Sequence, residues 1–230
     1  MKKSHIVLAV LVTLMIPVVS SATPIRPGPY VSGFLGVTVP QDSGVTFTQF
    51  GPPATFNDRV EFDPGINIGG TGGYDFGIVR LEGELSYKRG EMTTVTDQTS
   101  NVRYVNVNGS LGALAMMFNG FFDLHNNTPV TPYFGGGIGF AALHLSDTFG
   151  TIASGANAGT RQQLYFSDDD TVFAYQAGAG LEIALNRKVS LDLGYRYFGT
   201  AQADFNRNFS TETALKFESH NVAVGCRVKF

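Results

Sequence analysis

Apolar and polar residues alternate along most of the chain after its first two dozen residues. Residues 79–88 (VRLEGELSYK) carry Val, Leu, Gly, Leu and Tyr in one phase and Arg, Glu, Glu, Ser and Lys in the other. Residues 173–183 and 189–198 alternate in the same way. Because successive side chains of a β-strand point to opposite faces, this pattern predicts strands with one apolar and one polar face. Helical periodicity is weak, so the predicted fold class is all-β.

The connections between the predicted strands alternate in length. The eight strands are 30–39, 61–74, 79–89, 102–122, 130–145, 172–184, 189–198 and 217–230. The short connections are 75–78, 123–129 and 184–188, and the long ones are 40–60, 90–101, 146–171 and 199–216. Short turns at one end and long loops at the other are typical of a bacterial outer-membrane barrel. We therefore predict a transmembrane, eight-stranded, antiparallel up-and-down β-barrel with periplasmic turns and four extracellular loops.

The amino terminus indicates export from the cytoplasm. Lys2 and Lys3 precede an apolar run from Ile6 to Val19, and Ser20 and Ala22 occupy the −3 and −1 positions of a cleavage site. These are the parts of a secretory signal peptide. The predicted organisation is a cleaved signal peptide over residues 1–22 and one barrel domain over residues 23–230.

A soluble β-barrel would also show alternation, with its apolar face turned inward. Two features favour a membrane instead. The polar faces are rich in small residues as well as charges, as a crowded barrel interior requires, and the apolar faces carry Tyr and Phe towards strand ends, where membrane interfaces place aromatic residues. A spanning sheet must close on itself because lipid offers no hydrogen bonds. The predicted localisation is the bacterial outer membrane, and outer-membrane lipids are predicted partners.

The inward phase carries charges of both signs. They are Arg80, Glu82, Glu84, Lys88, Glu182, Asp192, Arg196, Arg227 and Lys229. A buried charge without a partner is costly, so these residues are predicted to form a structural ion-pair network in the lumen. The alternative is a small channel or transport protein that uses the charged lumen, for which an eight-stranded barrel leaves little room.

The chain resembles the eight-stranded outer-membrane barrels of the OmpA-like and OmpX-like group. The resemblance rests on YVSGFLGVTVP, on MMFNGFFDL followed by TPYFGGGIGFAALHL, on SLDLGYRYF and on the terminal VAVGCRVKF. It covers essentially the whole mature chain. It implies that the last strand and its terminal Phe230 are a signal for the barrel-assembly machinery, which becomes a predicted partner.

Few residues suggest catalysis. His144 and Ser146 lie two apart on one predicted strand and therefore share a face, a spacing that resembles barrel enzymes that deacylate lipid A. A serine nucleophile also needs a group that orients its base, and none is evident. The enzyme reading is kept as an alternative, and we predict no catalytic residue.

No cofactor or metal site is predicted either. The three carboxylates of Asp168, Asp169 and Asp170 lack the ligand spacing of a calcium loop, and neither His125 nor His220 has a Cys or His neighbour at metal-ligand spacing.

The long loops are the predicted site of function. They carry aromatic residues, namely Phe47, Phe50, Phe56, Tyr165, Phe166, Phe205 and Phe209. Exposed loops on a rigid scaffold are where binding usually occurs, so an extracellular ligand at these loops is a predicted partner. Nothing indicates nucleic-acid binding, because the formal net charge is −3 and such binding needs a basic patch. The predicted role is structural and interactive, through envelope integrity and surface contacts.

Overall fold

The computed structural model describes residues 27–50, 53–205 and 211–230. These residues form fourteen β-strands and contain no helix that could cross a membrane. The strands are β1 (Gly28–Pro40), β2 (Ser43–Phe50), β3 (Pro53–Asp75), β4 (Val79–Asp97), β5 (Val102–Asn108), β6 (Ser110–Asp123), β7 (Val130–Leu145), β8 (Thr148–Ile152), β9 (Arg161–Tyr165), β10 (Asp168–Ala184), β11 (Val189–Thr200), β12 (Ala203–Phe205), β13 (Thr211–Leu215) and β14 (Glu218–Lys229). The predicted signal peptide lies outside the described residues.

Eight of the strands close into a ring. The antiparallel order is β1, β3, β4, β6, β7, β10, β11 and β14, and β14 returns to pair with β1. At the closing seam Tyr30 lies opposite Lys229, and Pro40 lies opposite Ser219. The backbone N–H of Phe230 donates to the Pro29 carbonyl at 3.0 Å and extends the seam to the last residue. The prediction of an eight-stranded antiparallel barrel is confirmed.

The six shorter strands continue the ring strands beyond the barrel on the side of the long connections. Each short strand is separated from a ring strand by one or two residues; for example, residues 146–147 separate the short strand β8 from the ring strand β7. They pair with one another and with the upper ends of β3 and β4 as hairpins. The long connections therefore contain strands that the sequence interpretation assigned to loops. The predicted fourth strand, 102–122, is interrupted at Gly109 and forms β5 and β6.

The two faces of each ring strand differ as the alternation predicts. On β4, Arg80 is 1% exposed and Glu84 3%, whereas Leu85 is 54% exposed. On β6, Met116 and Phe118 are 69% and 61% exposed. Such a continuous belt of exposed large apolar side chains is unsuited to water and matches the lipid-facing band of a membrane barrel.

Aromatic pairs mark the end of the belt with the short turns. The Tyr74 and Phe76 rings lie 4.7 Å apart, and the Phe122 and Phe134 rings lie 5.7 Å apart. All four rings are at least 43% exposed. Aromatic girdles of this kind sit at the membrane interface.

The barrel interior has a polar and an apolar part. The part nearer the short turns holds the charged residues. Nearer the hairpins, buried apolar side chains pack into one cluster that includes Val60, Phe62, Met92, Leu111, Leu143, Leu145, Tyr165, Phe198, Phe205, Leu215 and Phe217. The predicted polar phase therefore does not run the full height of the molecule, because the inward positions become apolar above the membrane.

Candidate functional site

Glu182 is the centre of a charged cluster near the short turns. Its Oε2 lies 3.3 Å from Nη1 of Arg80, and the same oxygen accepts a hydrogen bond from Nη1 of Arg227. Its Oε1 lies 3.3 Å from Nζ of Lys229 and accepts a hydrogen bond from Ser190 Oγ at 2.7 Å. One carboxylate thus neutralises cations from two other strands, β4 and β14.

Further acids balance the same cations. Arg227 Nη2 donates to Asp192 at 2.9 Å, and Lys229 Nζ lies 3.0 Å from Asp75. Arg80 Nη2 lies 3.5 Å from Asp123. The sequence interpretation missed the two acids at the ends of β3 and β6, Asp75 and Asp123, because it assigned residues 75–78 and 123–129 to turns. Both residues end strands, and their inward phase was the available signal.

A second charged cluster lies next to the apolar part of the interior. Arg196 Nη2 lies 3.3 Å from Glu82, and Arg196 Nη1 donates a hydrogen bond to Glu84. Lys88 Nζ donates to Ser86 at 2.7 Å and lies 4.0 Å from Glu84. The Lys88 ammonium also lies 4.5 Å from the centre of the Phe198 ring. Lys88 therefore stands at the boundary between the polar and apolar parts.

Neutral polar side chains add hydrogen bonds to the acids of both clusters. Tyr30 donates its hydroxyl proton to Glu82 at 2.7 Å, and Tyr133 donates to Asp192 at 2.7 Å. Gln176 Nε2 lies 2.8 Å from Glu84 and 2.7 Å from the side-chain oxygen of Asn119. The nine charged residues named from the sequence all face this interior, and each lies within 4.0 Å of an opposite charge.

Side chains fill the space between the strands in this region. The remaining cavity among Ser32, Asn67, Glu84, Arg196 and Asn221 has a volume of about 30 Å³. A single water needs at least about 10–15 Å³ measured in this way, so the cavity holds roughly two waters. The described part of the lumen is a packed interior.

His144 and Ser146 do not engage each other among the described residues. His144 Nδ1 lies 2.6 Å from Asp169 Oδ1, and both side chains are more than half exposed. Ser146 Oγ instead accepts the backbone N–H of Ser110 at 2.8 Å. Nor do the described residues contain three His, Cys, Asp or Glu side chains arranged to hold a metal ion.

The hairpins contain an acid–tyrosine contact between distant segments. Tyr165 on β9 is buried and donates its hydroxyl proton to Asp58 on β3 at 2.6 Å. Asp97 lies directly opposite Asp58 in the β3–β4 ladder. Burial raises the pKa of the Asp58 carboxyl, and the Asp97 charge raises it further, whereas the Tyr165 hydrogen bond opposes the shift. Burial, followed by the charge of Asp58, also raises the pKa of Tyr165.

The predicted loop aromatics have different environments. Tyr165 and Phe205 are buried in the apolar interior and cannot contact a ligand at the surface in this conformation. Phe166 is 62% exposed, and the Phe47 and Phe56 rings lie 6.2 Å apart. Some aromatic residues of the long connections therefore point inward and pack the interior, and only those that point outward can contact a ligand. Phe209 lies outside the described residues, and so does the side chain of Phe50.

A closed eight-stranded ring with an apolar outer belt and a charged, packed interior defines an integral outer-membrane β-barrel protein. Comparisons with known proteins give the same class. The family described as "Outer membrane protein beta-barrel domain" matches residues 6–230. The chain belongs to this family, which places it in the bacterial outer membrane.

Individual relatives agree with this family. The chain is 29% identical to outer membrane protein PagN of Salmonella typhimurium over 205 residues, which are 82% of this chain and 81% of PagN. It is 30% identical to an uncharacterized protein of Brucella abortus over 196 residues, 76% of this chain and 68% of that protein. Among solved structures, OprG of Pseudomonas aeruginosa has the same fold with a TM-score of 0.55 at 16% identity, over 88% of this chain and 96% of OprG.

Proposed function

We propose that this protein is a non-enzymatic outer-membrane barrel that supports the envelope and makes surface contacts through its hairpins. The observation that carries the proposal is the contrast between the two ends of the molecule. The interior is filled by paired charges and an apolar cluster, whereas the strands continue past the membrane belt as paired hairpins. A filled barrel that holds structured hairpins above the membrane is suited to contact rather than to passage.

The lumen network has a structural role in this proposal. The residues involved come from all eight ring strands, and some of the contacts connect strands that are not neighbours in the ring. A buried charge that lost all its partners would cost about 3–5 kcal/mol, and each arginine of the network has two acids within 4.0 Å. The network therefore favours one register and one closed ring.

A channel and an enzyme are the competing functions. A channel needs a continuous polar path, but Arg196 and its partners occupy the lumen and the apolar cluster lies beyond them. A serine hydrolase needs its base within hydrogen-bond reach of the nucleophile, but His144 and Ser146 contact other residues. Both observations support the contact function.

The proposed partners follow from where each surface of the barrel lies. Outer-membrane lipids contact the belt, and the barrel-assembly machinery reads the terminal strand that ends at Phe230. An extracellular ligand binds the outward surface of the hairpins, where Phe166 and the Phe149–Arg161 pair lie. In that pair the Arg161 guanidinium lies 5.1 Å from the ring centre.

The experiment compares two exchange variants on beads that carry the purified protein in nanodiscs. In one, residues 153–160 at the tip of the β8–β9 hairpin become a Gly-Ser linker of equal length; in the control, residues 124–128 in a short turn are exchanged in the same way. We expect the hairpin exchange to lower bead attachment to cultured epithelial cells several-fold and the turn exchange to leave it unchanged. Equal attachment of both variants, or conductance steps from the wild-type protein in planar bilayers, would contradict the proposal.

A further inference from the structure

The outward face of β4, β6, β7 and β10 changes from apolar to polar over one row of residues. Cross-strand pairing places Leu85, Met116, Phe140 and Phe173 in one row, and Tyr87, Leu114, Ala142 and Thr171 in the next row towards the hairpins. The following row is Arg89, Gly112, His144 and Asp169. The change from exposed apolar side chains to charged ones marks the outer boundary of the lipid-facing belt.

A groove begins immediately beyond this boundary. It is open to the surface, has a volume of about 460 Å³ and is lined by residues that include Arg89, Glu91, Asn108, Ser110, Ser146 and Ser167. The size is within the range of small-molecule sites, about 300–1,000 Å³. The groove is thus next to lipid and large enough for a sugar unit.

The backbone explains why the surface is concave here. β4 pairs with β6 as far as Glu91 and pairs with β5 only from Val95 onward, so the ladder is interrupted between these residues. On β5, Asn106 has a positive φ of 51° and lies at the irregularity of the β5–β8 ladder between Val105 and Asn108. Serines rather than large side chains then line the floor, so the space stays open.

The chemistry of the lining fits a carbohydrate. The side chains of Arg89, Glu91 and Asn108 make no hydrogen bond or ion pair within the described part of the chain. A guanidinium and an amide donate to sugar oxygens, and a carboxylate accepts from sugar hydroxyls. The half-buried Val107 adds an apolar side chain to the same groove, which suits the C–H face of a sugar ring. A simple anion fits less well, because Glu91 and Asp147 place two carboxylates beside one guanidinium.

We propose that this groove binds the saccharide headgroup of an outer-leaflet glycolipid. The apolar rows below it form a continuous surface for the acyl chains of the same molecule, which a soluble sugar would leave uncovered. The site is independent of the proposed hairpin contacts, because it faces sideways into the membrane boundary.

The test fills the groove and measures lipid binding by native mass spectrometry of the full-length mature protein in detergent. Ser110→Phe and Ser167→Phe each place a ring on the floor or rim, and Ala201→Phe is the control because Ala201 is exposed and outside the groove. The probes are lipopolysaccharide, phosphatidylglycerol and the soluble oligosaccharide released from the same lipopolysaccharide. Electrophoresis with and without boiling verifies that each variant is folded.

We expect at least one of the two groove variants to raise the Kd for lipopolysaccharide about tenfold, with no change for Ala201→Phe and none for phosphatidylglycerol. Wild-type affinity in both groove variants would overturn the proposal, as would an equal loss in the control or with phosphatidylglycerol. Displacement of lipopolysaccharide by an equal concentration of the soluble oligosaccharide would show a site for free sugar and overturn the glycolipid assignment.

Discussion

The guanidinium of Arg80 on β4 lies 3.3 Å from the carboxylate of Glu182 on β10, although β6 and β7 separate these strands in the ring. The contact therefore crosses the lumen. Arg227 and Lys229 from β14 reach the same carboxylate. Three strands that do not pair with one another in the ring thus meet at a single side chain, and among the described residues the loss of Glu182 affects the most ion pairs.

Replacement of Glu182 by Ala should destabilise the barrel strongly. The change removes the acid that Arg80, Arg227 and Lys229 share and leaves each of them with one acid, so we expect a loss near the lower end of the about 3–5 kcal/mol that breaking a buried pair costs. Urea unfolding in detergent, followed by electrophoresis without boiling, measures the free energy of unfolding. Glu91→Ala is the control, since Glu91 is an exposed acid outside the network. A loss below about 1 kcal/mol for Glu182→Ala would show that the network adds little stability.

Replacement of Phe118 by Arg should destabilise the barrel in lipid. Phe118 is 61% exposed near the middle of β6 on the apolar face, and an arginine at the midplane of a barrel costs about 2–4 kcal/mol. The measurement is the free energy of unfolding in phospholipid vesicles. Asn126→Arg in a short turn is the control, because that side chain lies in the exposed connection between β6 and β7. Equal stabilities would indicate that this face does not contact lipid.

The two glycines Gly139 and Gly83 should differ in their tolerance of alanine. A Cβ on Gly139 would lie 2.0 Å from the Met116 carbonyl oxygen, so the strands must move apart, whereas a Cβ on Gly83 would find its nearest neighbour at 3.9 Å. Overpacking of this kind costs about 1–3 kcal/mol. We expect Gly139→Ala to lower the midpoint of thermal unfolding by several degrees and Gly83→Ala to leave it nearly unchanged. A tolerated Gly139→Ala would mean that β6 and β7 can separate without cost.

The alternation of apolar and polar residues was sufficient to predict the ring, because each spanning strand faces lipid on one side and the lumen on the other. Residues 79–88 illustrate this, since an inward Arg80 and an outward Leu81 follow directly from the period of two. The same rule could not locate the upper limit of the polar lumen. Met92 and Leu143 are inward and apolar, as in a soluble core, because above the lipid the interior is buried against the hairpins rather than packed with ion pairs.

The sequence pattern could not predict the hairpin strands or the groove. Segments such as 43–50 and 161–165 are short and show no long alternation, so the sequence pattern predicts loops there, and their strand structure depends on pairing with β3 and β8. The groove lies where the β4 ladder is interrupted between Glu91 and Val95, beside Ser110 and Ser146, which meet at the end of the β6–β7 ladder. Such contacts join segments that are distant in the sequence, so the alternation within one segment does not reveal them.

Acidification should stabilise the hairpins through Asp58. Burial and the opposite Asp97 raise the pKa of Asp58 in the folded protein, so folding favours its protonated form. The stabilisation is complete below the ordinary Asp pKa of 3.8 and is lost as the pH rises through the raised value. Hydrogen exchange of residues 53–60 and 161–165, corrected for intrinsic rates, should show greater protection at pH 4 than at pH 7. Asp58→Asn should remove most of this difference, and an unchanged difference would assign it to other groups.

Removal of the terminal aromatic side chain should impair assembly in cells more than folding in detergent. Phe230 is 74% exposed, and only its backbone N–H contributes to the β1–β14 seam, through the Pro29 carbonyl. Phe230→Ala keeps that hydrogen bond and removes little buried surface, so the purified variant should refold with a near-normal midpoint. If the assembly machinery reads the ring, the folded fraction in the outer membrane should fall several-fold, as measured by electrophoresis of unboiled membranes. Val224→Ala is the matched control, since Val224 is an exposed apolar residue of the same strand at 52% exposure. An equal loss in both variants would indicate that lipid contact, and not a terminal signal, determines the yield.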